Sequence, residues 1–324
     1  MPRAARLHVL FTDRAWPDCE VERRIVGAIG AEVIEPPDRE ESTFLEFAPQ
    51  ADAIATCWAP VSGDVIRAAT RCRIVARFGI GLDNIDVVAA TERGIPVTNV
   101  PDYCISEVSD HALALLLGLA RKVAFFHHRT KQGDYNLQAG SPLVRVAGKT
   151  LGLIGLGRIG QALAVKARAL GLEVVAYNRS GDDHGTGCRM LPLDELLKQS
   201  DFVSLHVPLT PETRGLVGRE QFGRMKRGAH LINTSRGGLV DHGALWQALQ
   251  AGELAGAGLD VFDPEPPDLA EPLFRDERVI VTPHAAFLSQ ESLFELRTRA
   301  ADQIAQALQG ARPAHVVNPQ IYEN

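Results

Sequence analysis

Short apolar runs alternate with helical patterns along the first hundred residues. In Cys19–Ile29, for example, the apolar residues recur every three or four positions, as on one face of a helix. The predicted strands are Leu7–Thr12, Glu32–Ile34, Ala53–Cys57, Arg73–Phe78 and Pro96–Val100, with further helices at Ser62–Ala69 and Val87–Arg93. Alternation of this kind is typical of a parallel sheet covered by helices.

The same alternation returns after residue 150 and continues almost to the end. The predicted strands there are Leu151–Ile154, Glu173–Tyr177, Phe202–Leu205, Ala229–Asn233, Gly256–Leu259 and Val279–Thr282. The predicted helices are Gln161–Leu170, Leu193–Gln199, Arg219–Met225 and Gly243–Gln250. We therefore predict an α/β protein made of two doubly wound parallel-sheet domains, Rossmann-like or flavodoxin-like, with a cleft between them.

A long helical pattern separates the two series of strands. It opens after Pro101, with Ser106 as the predicted N-cap, and runs to about Lys131. It is apolar on nearly all sides from Ala112 to Phe126, which is typical of a helix buried between domains or subunits. The last helix, Gln290–Leu308, is predicted to return to the first domain. The expected domains are therefore 1–103 plus about 288–324, and 104–287.

Composition restricts the possible functions. The formal net charge is −6, and the lysines and arginines are thinly spread, which argues against a nucleic-acid surface. The stretch Ala112–Ala120 is far shorter than the roughly 20 residues that span a bilayer. Leu7–Phe11 is too short for a signal peptide, and charge returns at Asp13. We expect a cytoplasmic protein with neither a membrane nor a nucleic-acid partner.

The five cysteines are scattered along the chain and form no CxxC pair. They are Cys19, Cys57, Cys72, Cys104 and Cys188. Reduced thiols that fill buried space account for this pattern better than disulfides or nucleophiles do.

Three glycines follow the first strand of the second series directly. Gly155, Gly157 and Gly160 have the spacing GxGxxG between a strand and a helix. In that setting one glycine permits the tight turn, one lets the backbone approach a pyrophosphate, and one lets helix and strand pack closely. The helix N-terminus at Arg158 and Ile159 offers N–H groups to phosphates. With a second strand following, the unit predicts dinucleotide binding.

Reactive side chains gather just past the predicted strand ends, where open α/β sheets bind ligands. They are Asn178-Arg179-Ser180, His206-Val207-Pro208, Thr234-Ser235-Arg236, Asp260 and Pro283-His284. Taken singly, each is more often a structural hydrogen-bonding residue, but together they indicate a site. His127 and His128 have no acidic or cysteine partner at suitable spacing, so we predict no metal.

Several stretches resemble the D-isomer-specific 2-hydroxyacid dehydrogenases. They are Arg77–Asp86, the glycine turn, His206–Thr213, Ile232–Gly238, Leu259–Pro266 and Thr282–Ala286, in the family's order along nearly the whole chain. Asn99–Cys104 and Gly237–Asp241 are similar to the branch that includes the C-terminal-binding proteins, the glyoxylate and hydroxypyruvate reductases and the phosphoglycerate dehydrogenases. Unlike the longer phosphoglycerate dehydrogenases, the chain is expected to have no regulatory domain after residue 324.

The resemblance implies an enzyme that transfers a hydride between NAD(P)H and a small 2-keto acid, with the first domain binding substrate and the second the cofactor. Its implied catalytic residues are Arg236, Glu265 and His284. Because its guanidinium is planar and permanently charged, Arg236 is suited to bind the carboxylate of the keto acid and to polarise its carbonyl group. His284 suits proton donation near neutrality, and Glu265 would orient the ring and favour its protonated form.

The resemblance also implies residues that bind substrate and cofactor. The substrate set is Arg77, Gly79, Ile80 and Arg236. The cofactor set is Gly155, Gly157, Arg158, Ile159, Gly160, Asn178, Arg179, Ser180, His206, Val207, Pro208, Thr213, Thr234, Asp260 and His284. Two roles stay open: Arg77 could instead form a salt bridge to Asp83 or Asp86, and Asp260 either faces the nicotinamide carboxamide or is a structural turn residue.

The choice between the two cofactors depends on the end of the second strand of the second domain. NAD-preferring sites carry Asp or Glu there, whereas this chain has neutral Asn178 followed by Arg179 and Ser180, which could bind a 2′-phosphate. The pattern favours NADP over NAD, although Asp182 or Asp183 could still reach a ribose.

A homodimer built on the long apolar helix is expected. The rival function is a dinucleotide-sensing, co-repressor-like binding module with little turnover. Phe287 stands where the co-repressors carry a tryptophan, and the substrate pocket is expected to involve Phe287, Trp58, Tyr103 and Phe78.

Overall fold

The protein divides into two compact units. The computed structural model describes residues 6–140 and 142–323. Residues 1–5, 141 and 324 lie outside the described residues, so the first five residues and the last residue of the first predicted domain are not covered. Unit 1 comprises the chain up to Tyr103 together with the chain from Ser289 onward, and unit 2 is Cys104–Leu288. Unit 2 is thus one continuous segment inserted into unit 1.

Unit 1 is built on a five-stranded parallel sheet. Its strands are β1 (Leu7–Phe11), β2 (Ala31–Ile34), β3 (Ala53–Thr56), β4 (Val75–Arg77) and β5 (Val97–Thr98), in the spatial order β2-β1-β3-β4-β5. Helices α1 (Glu20–Gly27), α2 (Glu41–Phe47), α3 (Gly63–Ala68) and α4 (Val87–Glu92) connect them. Every residue of β3 and β4 is buried, which explains why these strands are nearly continuous apolar runs.

Unit 2 is built on a seven-stranded parallel sheet. Its strands are β6 (Thr150–Ile154), β7 (Glu173–Tyr177), β8 (Arg189–Met190), β9 (Phe202–Leu205), β10 (Ala229–Asn233), β11 (Leu254–Leu259) and β12 (Val279–Val281). Its helices are α5 (Ile105–Arg121), α6 (Val123–Lys131), α7 (Arg158–Ala169), α8 (Leu193–Gln199), α9 (Arg219–Arg224), α10 (His242–Gln250) and α11 (Pro272–Arg275). The two parallel sheets confirm the predicted α/β class of doubly wound domains.

The strand order in unit 2 places a ligand crevice. The order is β12-β11-β10-β9-β6-β7-β8, so the chain runs outward from β6 to β8 and then returns to β9 on the other side of β6. Doubly wound sheets bind ligands where the strand order reverses in this way, beyond the carboxyl ends of the strands. The glycine turn after β6 lies at that point.

The final helix, α12 (Gln290–Leu308), belongs to unit 1 and packs along α1. Arg297 on α12 forms an ion pair with buried Glu22 on α1 at 2.8 Å and lies over the ring of Trp16. Removing Arg297 would leave the buried charge of Glu22 uncompensated, so this contact helps to fix how the two helices pack.

The long bridging helix is two helices rather than one. Lys122, with a left-handed φ of 51°, ends α5 and precedes α6. The predicted N-cap is also wrong, since α5 follows Cys104 and Ser106 lies inside its first turn. The apolar side of α5 is buried within unit 2. Two glycines of β11 allow this close approach, because a Cβ on Gly258 would lie 3.0 Å from the Cβ of Leu115.

Every helix within the described residues is too short or too polar to cross a lipid bilayer. The five cysteines, all among the described residues, are buried and form no disulfide, as the sequence predicts. Burial raises the pKa of Cys57 and of Cys72 to about 11, which keeps these thiols protonated at neutral pH.

Candidate active site

The glycine turn after β6 has little space for side chains at two of its three glycines. Gly155 has a φ of 100°, and a Cβ there would collide with the carbonyl oxygen of His206. A Cβ on Gly160 would lie 2.5 Å from the carbonyl oxygen of Gly155. Helix α7 begins at Arg158 instead of the predicted Gln161, so Gly160 packs against the turn from inside the first helical turn.

Gly157 differs from the other two glycines. A Cβ at Gly157 would meet no atom of the described residues within 4 Å. Gly157 is also the N-cap of α7, where no side-chain hydrogen bond caps the helix and the first turn holds no acidic residue. The N–H groups of this turn and the positive end of the helix therefore suit a pyrophosphate.

The loop after β7 is closed by Asn178. Its Nδ2 donates to the carbonyl of Asp182 at 2.7 Å, and its Oδ1 accepts from the backbone N–H of Gly181 at 2.7 Å and from the hydroxyl of Ser180. Asn178 thus shapes the loop, and the exposed side chain of Arg179 projects from it.

Two of the predicted cofactor residues after β9, His206 and Thr213, form hydrogen bonds within unit 2. Ser204 Oγ and His206 Nε2 share a hydrogen bond of 2.8 Å, and burial lowers the pKa of His206 to about 4. His206 is therefore neutral at pH 7, which suits packing better than proton transfer. Thr213 donates to the carbonyl of Pro208 at 2.7 Å and closes the loop that follows.

The end of β10 carries Arg236 on a tightly fixed loop. Fully buried Asn233 accepts from the Ser235 N–H at 3.1 Å and donates to the Arg236 carbonyl at 2.8 Å. Gly237 must lack a side chain, because a Cβ there would overlap the backbone of Phe262. Sequence reasoning missed Asn233, although its place as the last residue of a buried strand was a usable signal.

Thr234 lies within the same loop and is buried. Its hydroxyl has no hydrogen-bond partner within the described part of the chain. A buried hydroxyl without a partner is unfavourable, so a polar ligand at this edge would satisfy it.

His284 and Glu265 form a pair. His284 Nδ1 lies 2.8 Å from Glu265 Oε2, and because a carboxylate only accepts, Nδ1 donates and Nε2 is the ring nitrogen directed elsewhere. The other carboxylate oxygen accepts from the Phe262 N–H at 2.8 Å. Burial alone would raise the pKa of Glu265, but the hydrogen bonds from His284 and Phe262 hold this pKa below its usual value. The arrangement keeps an anion beside the imidazole.

The turn that carries His284 is held by Asp260. Both carboxylate oxygens of this fully buried residue accept backbone N–H groups, from Ala285 at 2.8 Å and Ala286 at 2.9 Å. Of the two roles left open by the sequence, the geometry favours the structural turn residue. Phe287, in the same segment, presents its ring edge-on to His284 at 6.2 Å between centroids.

Arg77, Gly79 and Ile80 lie at the carboxyl end of the unit 1 sheet. Buried Arg77 donates through Nε to the Gly81 carbonyl at 3.0 Å and through Nη1 to the Phe78 carbonyl at 2.5 Å. Asn99 donates to the Ile80 carbonyl at 2.8 Å and so fixes the same loop.

Two residues named in the sequence-based alternatives, Asp86 and Phe78, make other contacts within unit 1. Asp86 caps α4 by accepting from the Ala89 N–H, which is a different role from the ion pair with Arg77 that the sequence left open. Phe78 is buried and packs against Phe11 and Trp16 in unit 1.

Comparisons with known proteins show which proteins this chain is similar to. The model of the NAD binding domain of D-isomer specific 2-hydroxyacid dehydrogenases matches residues 113–286. A glyoxylate reductase of Korarchaeum cryptofilum is 41% identical over 298 residues, which are 88% of this chain and 88% of that protein. A D-3-phosphoglycerate dehydrogenase of Mycobacterium tuberculosis is 39% identical over 96% of this chain, but the chain spans only 58% of that protein. The crystal structure of a glyoxylate reductase from Paecilomyes thermophila has a TM-score of 0.88 at 29% identity, covering 99% of this chain and 100% of that one.

Proposed function

Because the chain belongs to the D-isomer specific 2-hydroxyacid dehydrogenase family, we propose that it reduces a small 2-keto acid such as glyoxylate or hydroxypyruvate. It is a 2-hydroxyacid oxidoreductase that uses a nicotinamide dinucleotide. The observation that carries the proposal is the His284–Glu265 pair at 2.8 Å, at the same sheet edge as Arg236 and the glycine turn. The rival co-repressor function is not favoured, since the relatives reported above are named as reductases and dehydrogenases.

The residues of unit 2 fit a nicotinamide dinucleotide. The glycine turn leaves space above Gly157 for phosphates, and the unpartnered hydroxyl of Thr234 lies along the same edge. When bound, the dinucleotide supplies or accepts a hydride. We assign the remaining predicted residues after β7 and β9 to contacts with it.

The chain's own residues then perform three tasks. Arg236 binds the carboxylate of the keto acid and polarises its carbonyl oxygen. His284 donates a proton from Nε2 to that oxygen as negative charge develops there. Glu265 accepts the Nδ1–H of His284, so it holds the ring's orientation and stabilises its charged form. In the direction of oxidation, neutral His284 takes the hydroxyl proton.

We also assign Arg77 to the substrate carboxylate. Its Nε and Nη1 donate to carbonyl oxygens, and the guanidinium also contacts the Cys57 side chain, so the contact that we assign would add to these interactions. The backbone around Gly79 and Ile80 would supply further donors to the same carboxylate.

We propose NADP as the preferred cofactor. Asn178 uses its amide within its own loop and adds no negative charge beside a 2′-phosphate. Arg179 projects from this loop, and the Ser180 hydroxyl could turn from Asn178 Oδ1 to donate to a phosphate. A guanidinium and a hydroxyl are the groups that bind a 2′-phosphate, whereas the exposed Asp182 would favour NAD if it reached the ribose.

We further propose that the protein is a cytoplasmic homodimer. Because α5 buries its apolar side within unit 2, the dimer surface shifts from this predicted helix to α6 and the segment after it. Val123, Tyr135, Leu137 and Leu143 are exposed apolar residues there, with Tyr135 at 94% exposure. Clustered exposed apolar side chains mark association surfaces. Five buried cysteines that form no disulfide within the described residues are consistent with a reducing compartment.

The test is an assay of NADPH and NADH oxidation against a panel of 2-keto acids. We expect turnover with at least one of them, and the proposal fails if neither cofactor is consumed with any. Arg236→Ala should abolish turnover while dinucleotide binding, measured by fluorescence titration, stays within about twofold, since the residue is assigned to substrate. Loss of dinucleotide binding would show that Arg236 is misassigned.

A further inference from the structure

A buried chain of hydrogen bonds lies beneath the turn that carries His284. His111, on α5, has its Nε2 2.9 Å from the hydroxyl of Thr282, and that hydroxyl donates to Asp260 Oδ1 at 2.6 Å. The Asp260 carboxylate is fully buried, and the His111 side chain is 23% exposed. His111 and Thr282 are 171 residues apart in the chain, and neither belongs to the site predicted from sequence.

The direction of these hydrogen bonds follows from the number of protons. The Thr282 hydroxyl has one hydrogen and donates it to Asp260, so His111 must carry its proton on Nε2 and donate to Thr282. The hydroxyl then both donates and accepts, and it links an imidazole to a buried carboxylate. A chain whose polar atoms are all satisfied is rigid.

Asp260 connects this hydrogen-bonded chain to the backbone at His284. The Asp260 carbonyl accepts from the His284 N–H at 2.8 Å, while its carboxylate accepts from the N–H groups of Ala285 and Ala286. His284 has a left-handed φ of 53°, a conformation that is strained for a residue with a side chain. Such a conformation persists only where surrounding contacts hold it, and Asp260 supplies them at His284 itself and at the two residues that follow it.

We infer that His111 and Thr282 are positioning residues for His284. Thr282 fixes the rotamer of the Asp260 carboxylate, and His111 fixes the hydroxyl of Thr282. Together they hold the turn in which His284 can direct Nε2 away from Glu265. This inference rests on the proposed role of His284 as the proton donor.

The experiment compares Thr282→Val with Thr282→Ser in the full-length chain. Valine keeps the shape but removes the hydroxyl, so kcat with the best keto acid should fall about tenfold, while KM for the keto acid and Kd for the dinucleotide stay within about twofold. Serine keeps the hydroxyl and should restore kcat to within about threefold of wild type. Thr298→Val is the matched control, because the Thr298 hydroxyl is buried without a partner within the described residues.

Two results would overturn the inference. The first is an unchanged kcat in Thr282→Val. The second is a loss that appears equally in KM or in dinucleotide binding and is not restored by serine, since that indicates a general structural role. If Thr282→Val does not fold, the same measurements are made on His111→Leu and His111→Gln. Leucine removes the donor to Thr282 and should lower kcat, whereas glutamine retains an N–H donor and should restore it. A wild-type chain that is inactive on every keto acid instead refutes the proposed function, which the wild-type assay reveals separately.

Discussion

Glu265→Gln tests the central pair of the site most directly. In the folded protein, one oxygen of Glu265 accepts from the Phe262 N–H and the other from His284 Nδ1. Glutamine has one accepting oxygen and one donating nitrogen. Its single oxygen can therefore accept from only one of these two donors. If the oxygen keeps the Phe262 N–H, the amide nitrogen faces Nδ1, so a neutral His284 must carry its proton on Nε2 instead and a protonated His284 meets a second donor.

The size of the effect follows from what the pair contributes. A hydrogen bond to a charged group contributes about 1.5–3 kcal/mol. The Glu265 side chain is 34% exposed, so water can replace part of the lost interaction and the lower end of that range applies. A loss of about 1.5–2 kcal/mol in the transition state corresponds to a fall in kcat/KM of roughly 10- to 30-fold. The fall should lie mainly in kcat, because Glu265 acts on the proton donor and not on the bound keto acid.

The assay measures initial rates of NADPH or NADH oxidation over a range of keto-acid concentrations, together with dinucleotide binding and Tm. Glu271→Gln is the matched control, since it removes an equal charge from an exposed site in unit 2. We expect the control to keep wild-type kinetics. If Glu265→Gln keeps kcat/KM within twofold, or loses it only through weaker dinucleotide binding, then Glu265 does not support His284 in catalysis.

Three further predictions concern cofactor binding and stability. Gly157→Ala should keep the wild-type Tm but weaken dinucleotide binding at least about tenfold, because its Cβ would fill the space assigned to phosphates. Gly160→Ala should lower Tm, because its Cβ would lie 2.5 Å from a carbonyl oxygen. If both variants change Tm and dinucleotide binding alike, the assigned roles are contradicted. Arg179→Ala should weaken NADPH binding far more than NADH binding in parallel titrations, and equal effects would defeat the 2′-phosphate assignment. Burial lowers the pKa of His230 to about 4. Between pH 6.5 and 4 the imidazole therefore takes up a proton in the unfolded chain but not in the folded one. Acidification across that window should lower the free energy of unfolding by up to about 3 kcal/mol. His230→Leu should reduce the fall in Tm between pH 7 and pH 5, and an unchanged fall would refute this account.

Strand positions were the easiest part of the fold to predict. Glu173–Tyr177, Phe202–Leu205 and Ala229–Asn233 agree with the structure residue for residue, because strands buried on both faces are apolar runs with polar flanks. Helix α2 and strand β8 were missed, since seven and two residues are too few to show a period. The break at Lys122 also left no signal, because a left-handed lysine is selected by tertiary packing and not by its own preference.

The candidate site was predictable only where chemistry and position coincide. Arg236 and His284 follow strand ends directly, so the sheet rule indicates them from the sequence alone. Glu265 follows no predicted strand, and only the family resemblance pointed to it. His111 could not be found by either route, because its contact with Thr282 depends on how α5 packs against β12. Phe78 follows a strand end too, yet packs in the core, so position without polar chemistry is a weak guide.

The insertion of unit 2 within unit 1 sets an order for folding during synthesis. The ribosome completes the sequence of unit 2 at Leu288, before it has made α12. Domains fold as units once their sequence has emerged, so unit 2 can close while unit 1 still lacks a helix. Until α12 has been made, the buried carboxylate of Glu22 on α1 lacks the guanidinium of Arg297. The first part of the chain to be made is therefore the last to be finished, and this nascent intermediate is where we expect chaperones to bind.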